Sequence, residues 1–170
     1  MSITDGVDAG AALDAASYLT RPAEEYVNDA NVEAMWAVKV AEDSEVHYNL
    51  LCSADPKLLK LCKYDDWIYS KFRKQFPKFR IDLVDEESLK SPVAKEKWRT
   101  FCEELKKVED FSFGTLLRLN AHEEYSEENT ILVTRVQFLA IEIARNREGV
   151  NDGVYNRYIN CKLQTDSSSS

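Results

Sequence analysis

Apolar residues recur at helical spacing along most of this chain, and one stretch organises the rest. In Thr130 to Gly149, Val136, Leu139, Ala140, Ile143 and Ala144 fall on one broad face when turned at about 100° per residue. Ile141 and Phe138 widen that arc until only Gln137, Glu142 and Arg145 interrupt it. A helix that is apolar over most of its circumference is covered on several sides, so the pattern predicts a central helix. It is too short and too interrupted to span a membrane. Arg145 and Arg147 stand in its last turn, where cations favour the negative end of the helix dipole, and Gly149 can adopt the left-handed cap. The apolar run Ile131-Leu132-Val133 predicts a short strand or buried entry segment, with the helix beginning near Thr134.

The same spacing predicts a long helix from Ala30 to Ser53, with Val32, Met35, Trp36, Val40, Val46, Leu50 and Leu51 as its apolar stripe. Asp55-Pro56 is a cap followed by a proline at the first helical position. Asp65 or Asp66 should cap a helix over Trp67 to Phe76, with Ile68, Phe72 and Phe76 inward and Pro77 ending it. Phe79 to Val84 reads as a short extended segment. Ser91-Pro92 opens a helix from Val93 to about Val108. Thr115 to Asn120 is a strand that can pair antiparallel with Thr130 to Val133 across the acidic loop His122 to Asn129. Val154-Tyr155 and Tyr158-Ile159 are expected to pack back onto the body. The fold class expected is mainly α: a single-domain helical bundle around a central C-terminal helix, with a small antiparallel β element. Residues 1–20, with a short helix at Ala11 to Tyr18, read as a flexible arm. Pro22 opens a turn of helix through Tyr26. Residues 21–160 read as the domain and 161–170 as a disordered tail.

A chain of 170 residues is long enough for one real core. Its net charge of −8, from 30 acidic and 22 basic residues, argues against broad affinity for nucleic acid or an anionic membrane, so neither DNA nor membrane is expected as partner, and it suits a basic protein partner. The 4 cysteines show no CxxC spacing, and no signal peptide is apparent. A reducing setting with free thiols, cytoplasmic or nuclear, is expected.

Several chemistries are excluded by what the motifs lack. No glycine-rich loop follows a strand, so neither a P-loop nor a dinucleotide fingerprint is available. His47 and His122 have no second ligand at metal spacing, so no zinc and no cofactor is expected, and both should be surface or satisfied core residues. The paired carboxylates, Asp65-Asp66 through Glu127-Glu128, could hold a catalytic pair. Their places at helix starts and in polar loops suit solvated carboxylates better. Tyr69 to Arg80 interleaves five cations with aromatics. Such a run could touch RNA or an acidic protein, or it could be a helix with aromatics inward and cations outward, the preferred reading. Arg145-Asn146-Arg147 likewise reads either as a helix end, with Glu142 near Arg145 at i+3, or as a fork for a carboxylate or phosphate.

Glu127-Glu128-Asn129-Thr130 with Phe138 to Gly149 resembles the signature of one eukaryotic family, polysaccharide biosynthesis domain-containing protein 1. Pro22 to Tyr26, Ala34-Met35-Trp36-Ala37, Asp65-Asp66 with Ile68-Tyr69-Ser70, Ala94 to Arg99 and Gly114 to Leu119 resemble it too. The resemblance covers most of residues 22–150 in unbroken order. It implies a cytoplasmic dedicated chaperone that is not an enzyme. Such a chaperone would bind newly made translation elongation factor 1-alpha and help its GTP-binding domain fold, working near ribosome-associated factors. The family's name offers the alternative of an enzyme or accessory protein of polysaccharide biosynthesis. For a chaperone, the contact surface expected is the exposed side of the helix after Asp65 and the strand near Arg118. Asp66, Tyr69, Arg73 and Arg118 are the candidates, because Tyr and Arg dominate interfaces and all four lie outside the predicted apolar stripes.

Overall fold

The structure, a computed structural model, describes residues 30–168. The expected arm, its short helix and the turn at Pro22 lie outside the described residues. The chain divides into two compact units within its first described helix, α1 (Ala30–Ser53), between Asp43 and Ser44. In the first unit, Lys39 pairs with Asp43 one turn on, at 3.3 Å. The second unit holds everything that follows.

Within it, the chain runs through a 3-10 turn (Pro56–Leu58), α2 (Asp65–Gln75), α3 (Glu87–Lys90), α4 (Pro92–Glu104), β1 (Gly114–Arg118), β2 (Thr130–Thr134), α5 (Arg135–Arg147) and α6 (Asp152–Ser168). The described residues are thus mainly α-helical with one two-stranded antiparallel sheet, as the pattern predicts. Gly114 faces Thr134 and Arg118 faces Thr130 in the register. Central helix α5 packs against α2, α4, both strands and the 3-10 turn. Thr134 starts it with a full capping box: its hydroxyl accepts from the Gln137 amide, and the Gln137 side chain accepts from the Thr134 amide. The box satisfies two otherwise unpaired backbone donors. Gly149 ends the segment at φ +82°, a conformation that costs a residue with a Cβ about 1–2 kcal/mol.

Between α2 and α4 the core is aromatic. Phe72, Phe76, Phe79, Trp98 and Phe101 form a contiguous set of ring contacts, the tightest being the Phe76–Trp98 stack at 4.2 Å. Such pairs contribute about 0.5–1.5 kcal/mol each beyond the area they bury. The aromatics of the Tyr69 to Arg80 run at Phe72 and Phe76 therefore face inward.

Three local expectations are corrected. Val46 and Leu50 of the predicted stripe are exposed, at 66% and 37%, whereas His47 and Leu51 point inward. A stripe drawn through apolar letters alone passes over an inward histidine that has a partner. Asp65 does not cap its own helix. Its buried carboxylate instead accepts from the Leu61 and Cys62 amides, at 2.9 and 2.7 Å, and ties down the preceding loop. Phe79 to Val84, expected as a short extended segment, joins the strands through an antiparallel bridge, Leu83 to Asn120, with Val84 N–H donating to Leu119 and Ala121 N–H to Asp82. Residues 161–168, expected as disordered tail, continue α6. No glycine or proline interrupts the segment after Gly153, so a helix seeded at Asp152 propagates residue by residue.

Candidate functional site

Two clusters of charged and aromatic groups flank α5. The first is internal. Glu142, on the second turn of α5, is fully buried, and so are Arg118 at the end of β1 and Arg145 one turn further along α5. Glu142 Oε1 accepts from Arg145 Nη1 at 2.7 Å and from Arg118 Nη2 at 3.4 Å. Asn151 joins the two ends, donating to Glu142 Oε2 at 3.1 Å and accepting from Arg118 at 3.1 Å. His47 Nδ1 lies 2.8 Å from the Tyr125 hydroxyl, and its Nε2 lies 3.5 Å from Glu142 Oε2. A carboxylate can only accept, so the proton of the neutral ring belongs on Nε2, with Tyr125 donating to Nδ1.

Two guanidiniums against one carboxylate leave an excess positive charge inside the protein. Backbone carbonyl dipoles take it up. Arg145 donates to the carbonyls of Ile81 and Arg118, each at 2.7 Å, and Arg118 donates to that of Ala121 at 2.8 Å. The cluster therefore pins the extended segment, the end of β1 and the acidic loop to one helix. Burial alone would push the Glu142 carboxyl up, but Arg118 and Arg145 outweigh it and hold it well below the usual carboxylate range. For His47, burial dominates and lowers the ring to about 4, against the pull of Glu142. The imidazole is thus neutral at physiological pH. None of the three fully buried ionic groups presents surface to a ligand.

The second cluster lies on the surface. Asp66, Tyr69 and Arg73 follow one flank of α2 at i, i+3 and i+7, and the C-terminal end of α5 brings Arg147 and Glu148 to them. Arg147 pairs with Asp66 and lies over the Tyr69 ring at 5.1 Å. That pairing holds the Asp66 carboxyl below its ordinary range. Glu148 receives a two-pronged bond from Arg73, at 2.8 and 2.7 Å, and the Tyr69 hydroxyl at 3.4 Å. Arg73 also donates to the carbonyls of Phe76 and Phe79, at 3.2 and 3.0 Å, so it fastens the turn after α2. The Asp66 side chain is 83% exposed.

Three of the four expected contact residues, Asp66, Tyr69 and Arg73, therefore share one surface. Arg118 does not belong there: at the end of β1 both faces of the strand are covered, and its guanidinium is spent on Glu142, Asn151 and the loop. Of the two readings of Arg145, the structural one matches the structure. Arg147 and Glu148 were missed as members of the surface cluster, and Glu142 as the hub of the internal one. The i+3 spacing of Glu142 and Arg145 was the one local signal for the hub. Asn129 was missed too. Its buried amide donates to the Asn120 and Glu124 carbonyls and closes the acidic loop. Among the described residues no His, Cys, Asp and Glu side chains gather as a metal site would require, and no helix is long and apolar enough to cross a membrane.

The profile of one family, the PBDC1 protein, matches residues 32–156. Protein PBDC1 of Homo sapiens is 53% identical over 159 residues, which span 91% of this chain and 68% of the human protein. The PBDC1 homologue of Saccharomyces cerevisiae is 43% identical over 137 residues, 78% of this chain and 94% of the yeast protein. A solution NMR structure of protein yst0336 from Saccharomyces cerevisiae superposes with a TM-score of 0.71 at 42% identity, covering 81% of this chain and 97% of that one.

Proposed function

Because the chain belongs to the PBDC1 protein family, we propose that it is a binding protein, a client-specific chaperone for the GTP-binding domain of newly made translation elongation factor 1-alpha. The observation that carries this reading is the division of labour between the two clusters. Glu142, Arg118 and Arg145 are sealed inside, whereas Asp66, Tyr69, Arg147 and Glu148 stand together at the surface on two packed helices. A tyrosine framed by arginine and carboxylates on rigid elements is what a specific protein contact requires. The net charge of −8 favours encounter with a basic client, and association should slow as salt rises. The function proposed is binding without catalysis, in the cytoplasm, where the client is made and ribosome-associated factors are at hand. The alternative in polysaccharide biosynthesis has less behind it: the buried carboxylates, Asp65 and Glu142, are committed to internal partners, and the exposed pairs lie in helix turns and polar loops.

A chaperone that bound folded and unfinished client equally could neither shift the folding equilibrium nor release its client. The protein should therefore bind the nucleotide-free or nascent GTP-binding domain more tightly than the finished, nucleotide-loaded factor. Calorimetric titration of both forms tests this. Equal affinity for the two, or no binding to either, contradicts the proposal.

A further inference from the structure

The opposite flank of α2 carries a different surface. Trp67, Lys71 and Lys74 follow one another there at i, i+4 and i+7. Tyr64 stands at the helix start, its ring edge-on to Trp67 with centroids 5.8 Å apart. Both rings pack against the core and are partly buried. Ammonium groups gather over them. Lys107, just past the end of α4, lies 4.1 Å from the Trp67 ring centre and 5.1 Å from that of Tyr64. Lys63 lies 5.1 Å from Tyr64, and Lys71 lies 5.8 Å from Trp67. Two carboxylates border the patch: Glu104 holds Lys71 at 2.6 Å, and Glu103 holds Lys106 at 2.5 Å. Lys63, Lys74 and Lys107 are exposed. In a chain of net charge −8, this is a local concentration of positive charge around two anchored aromatic planes.

We propose that the Tyr64–Trp67 platform, with Lys63, Lys71, Lys74 and Lys107 around it, is a binding site for single-stranded RNA. Bases are planar and phosphates are compact anions, so a strand whose phosphates draw the flexible lysines off the rings meets the two chemistries that the patch pairs: rings to stack on and ammonium groups for the backbone. An acidic peptide would engage the lysines and leave the aromatic planes unused. The cations are lysines rather than arginines, which suits point-charge contact with phosphates and carries no base readout, so sequence-tolerant binding is expected. The overall acidity confines RNA to this flank, away from the Asp66–Tyr69 surface.

The test is fluorescence anisotropy of a labelled oligouridylate of about 12 nucleotides, within the site sizes of such binders, titrated with the full chain at about 50 mM salt and upward. Saturable binding is expected, weakening with salt at a log–log slope of about 2 if Lys63, Lys74 and Lys107, rather than the Glu104-bound Lys71, each meet a phosphate. Lys63→Glu with Lys107→Glu should weaken it about tenfold or more, and Trp67→Leu should weaken it at unchanged salt slope. Lys90→Glu with Lys95→Glu, on exposed residues outside the platform, should leave it near the parent value. Circular dichroism confirms that each variant keeps its helices. The proposal fails if no saturable binding is seen, or if the control pair weakens binding as much as the platform pair. It also fails if oligoglutamate displaces the strand and itself binds Trp67→Leu as well as the parent, which would assign the patch to an acidic protein.

Discussion

The internal and surface clusters are built from nearly the same parts: arginines, a glutamate and a tyrosine, meeting where α5 packs on its neighbours. Inside, Arg118, Glu142 and Arg145 are wholly excluded from water and satisfied by fixed carbonyls and Asn151. On the surface, Asp66, Arg73, Arg147 and Glu148 keep part of their hydration. The difference sets what each cluster can do. Removing one partner of a buried pair strands a charge in a low-dielectric interior and costs about 3–5 kcal/mol, whereas an exposed pair contributes about 0–1 kcal/mol. The first is therefore architecture. The second can exchange its partners for those of another protein at little cost in stability.

The largest effect expected is that of Glu142→Ala, which leaves Arg118 and Arg145 facing each other. Urea unfolding should show a loss of about 3–5 kcal/mol. The surface counterpart, Glu148→Ala, should lose about 1 kcal/mol or less. Equal losses would erase the distinction between the clusters.

Acid should sharpen the same comparison through His47. The ring's ordinary value is 6.5 and burial lowers it to about 4 in the folded state. Unfolded chains take up the proton first, so this contribution is complete above pH 6.5 and declines as pH falls from there to about 4. A lowering of this size amounts to about 3 kcal/mol over that window. Below it, protonation of Glu142, whose folded value is depressed, removes more. A His47→Gln variant should lose the part of the decline between pH 6.5 and 4. An unchanged pH profile would show that His47 titrates as freely in the folded protein as in the unfolded one.

Arg73→Ala should have an intermediate effect, about 1–2 kcal/mol, because it releases two backbone carbonyls as well as Glu148. Hydrogen exchange should then rise at the turn after Phe76. No change there would show that Arg73 does not fasten that turn. The smallest change in stability is expected for Asp66→Ala, whose side chain is 83% exposed, so its melting temperature should stay within a few degrees of the parent.

Legibility from sequence followed the range of the interactions. Local rules found the Ala30–Ser53 helix, the Ser91-Pro92 start of α4, the paired strands and the central helix with its Gly149 cap. Each of these rests on residues a few positions apart, or on an apolar face. Arg118 was misplaced because its partners Glu142 and Asn151 are 24 and 33 residues away, and a strand ending in Leu-Leu-Arg gives no local sign that both faces are covered. His47 meets Tyr125 across 78 residues, which is why Val46 and Leu50 looked like better inward residues. The surface patch was half legible. Asp66, Tyr69 and Arg73 share a helical flank, but only the packing of α5 on α2 brings Arg147 and Glu148, from about 80 residues on, to the same place.

The most direct test of the central claim pairs two measurements on one variant. Asp66→Ala with Tyr69→Ala is made in the full chain, its thermal unfolding is compared with the parent, and its affinity for the nucleotide-free GTP-binding domain of elongation factor 1-alpha is titrated by calorimetry. The account predicts some loss of stability, since Tyr69 also packs on the core, but a variant that remains folded at the titration temperature with an affinity reduced about tenfold or more, as for residues at the centre of an interface. Undiminished affinity in the folded variant would contradict it and remove the Asp66–Tyr69 surface from the proposed contact.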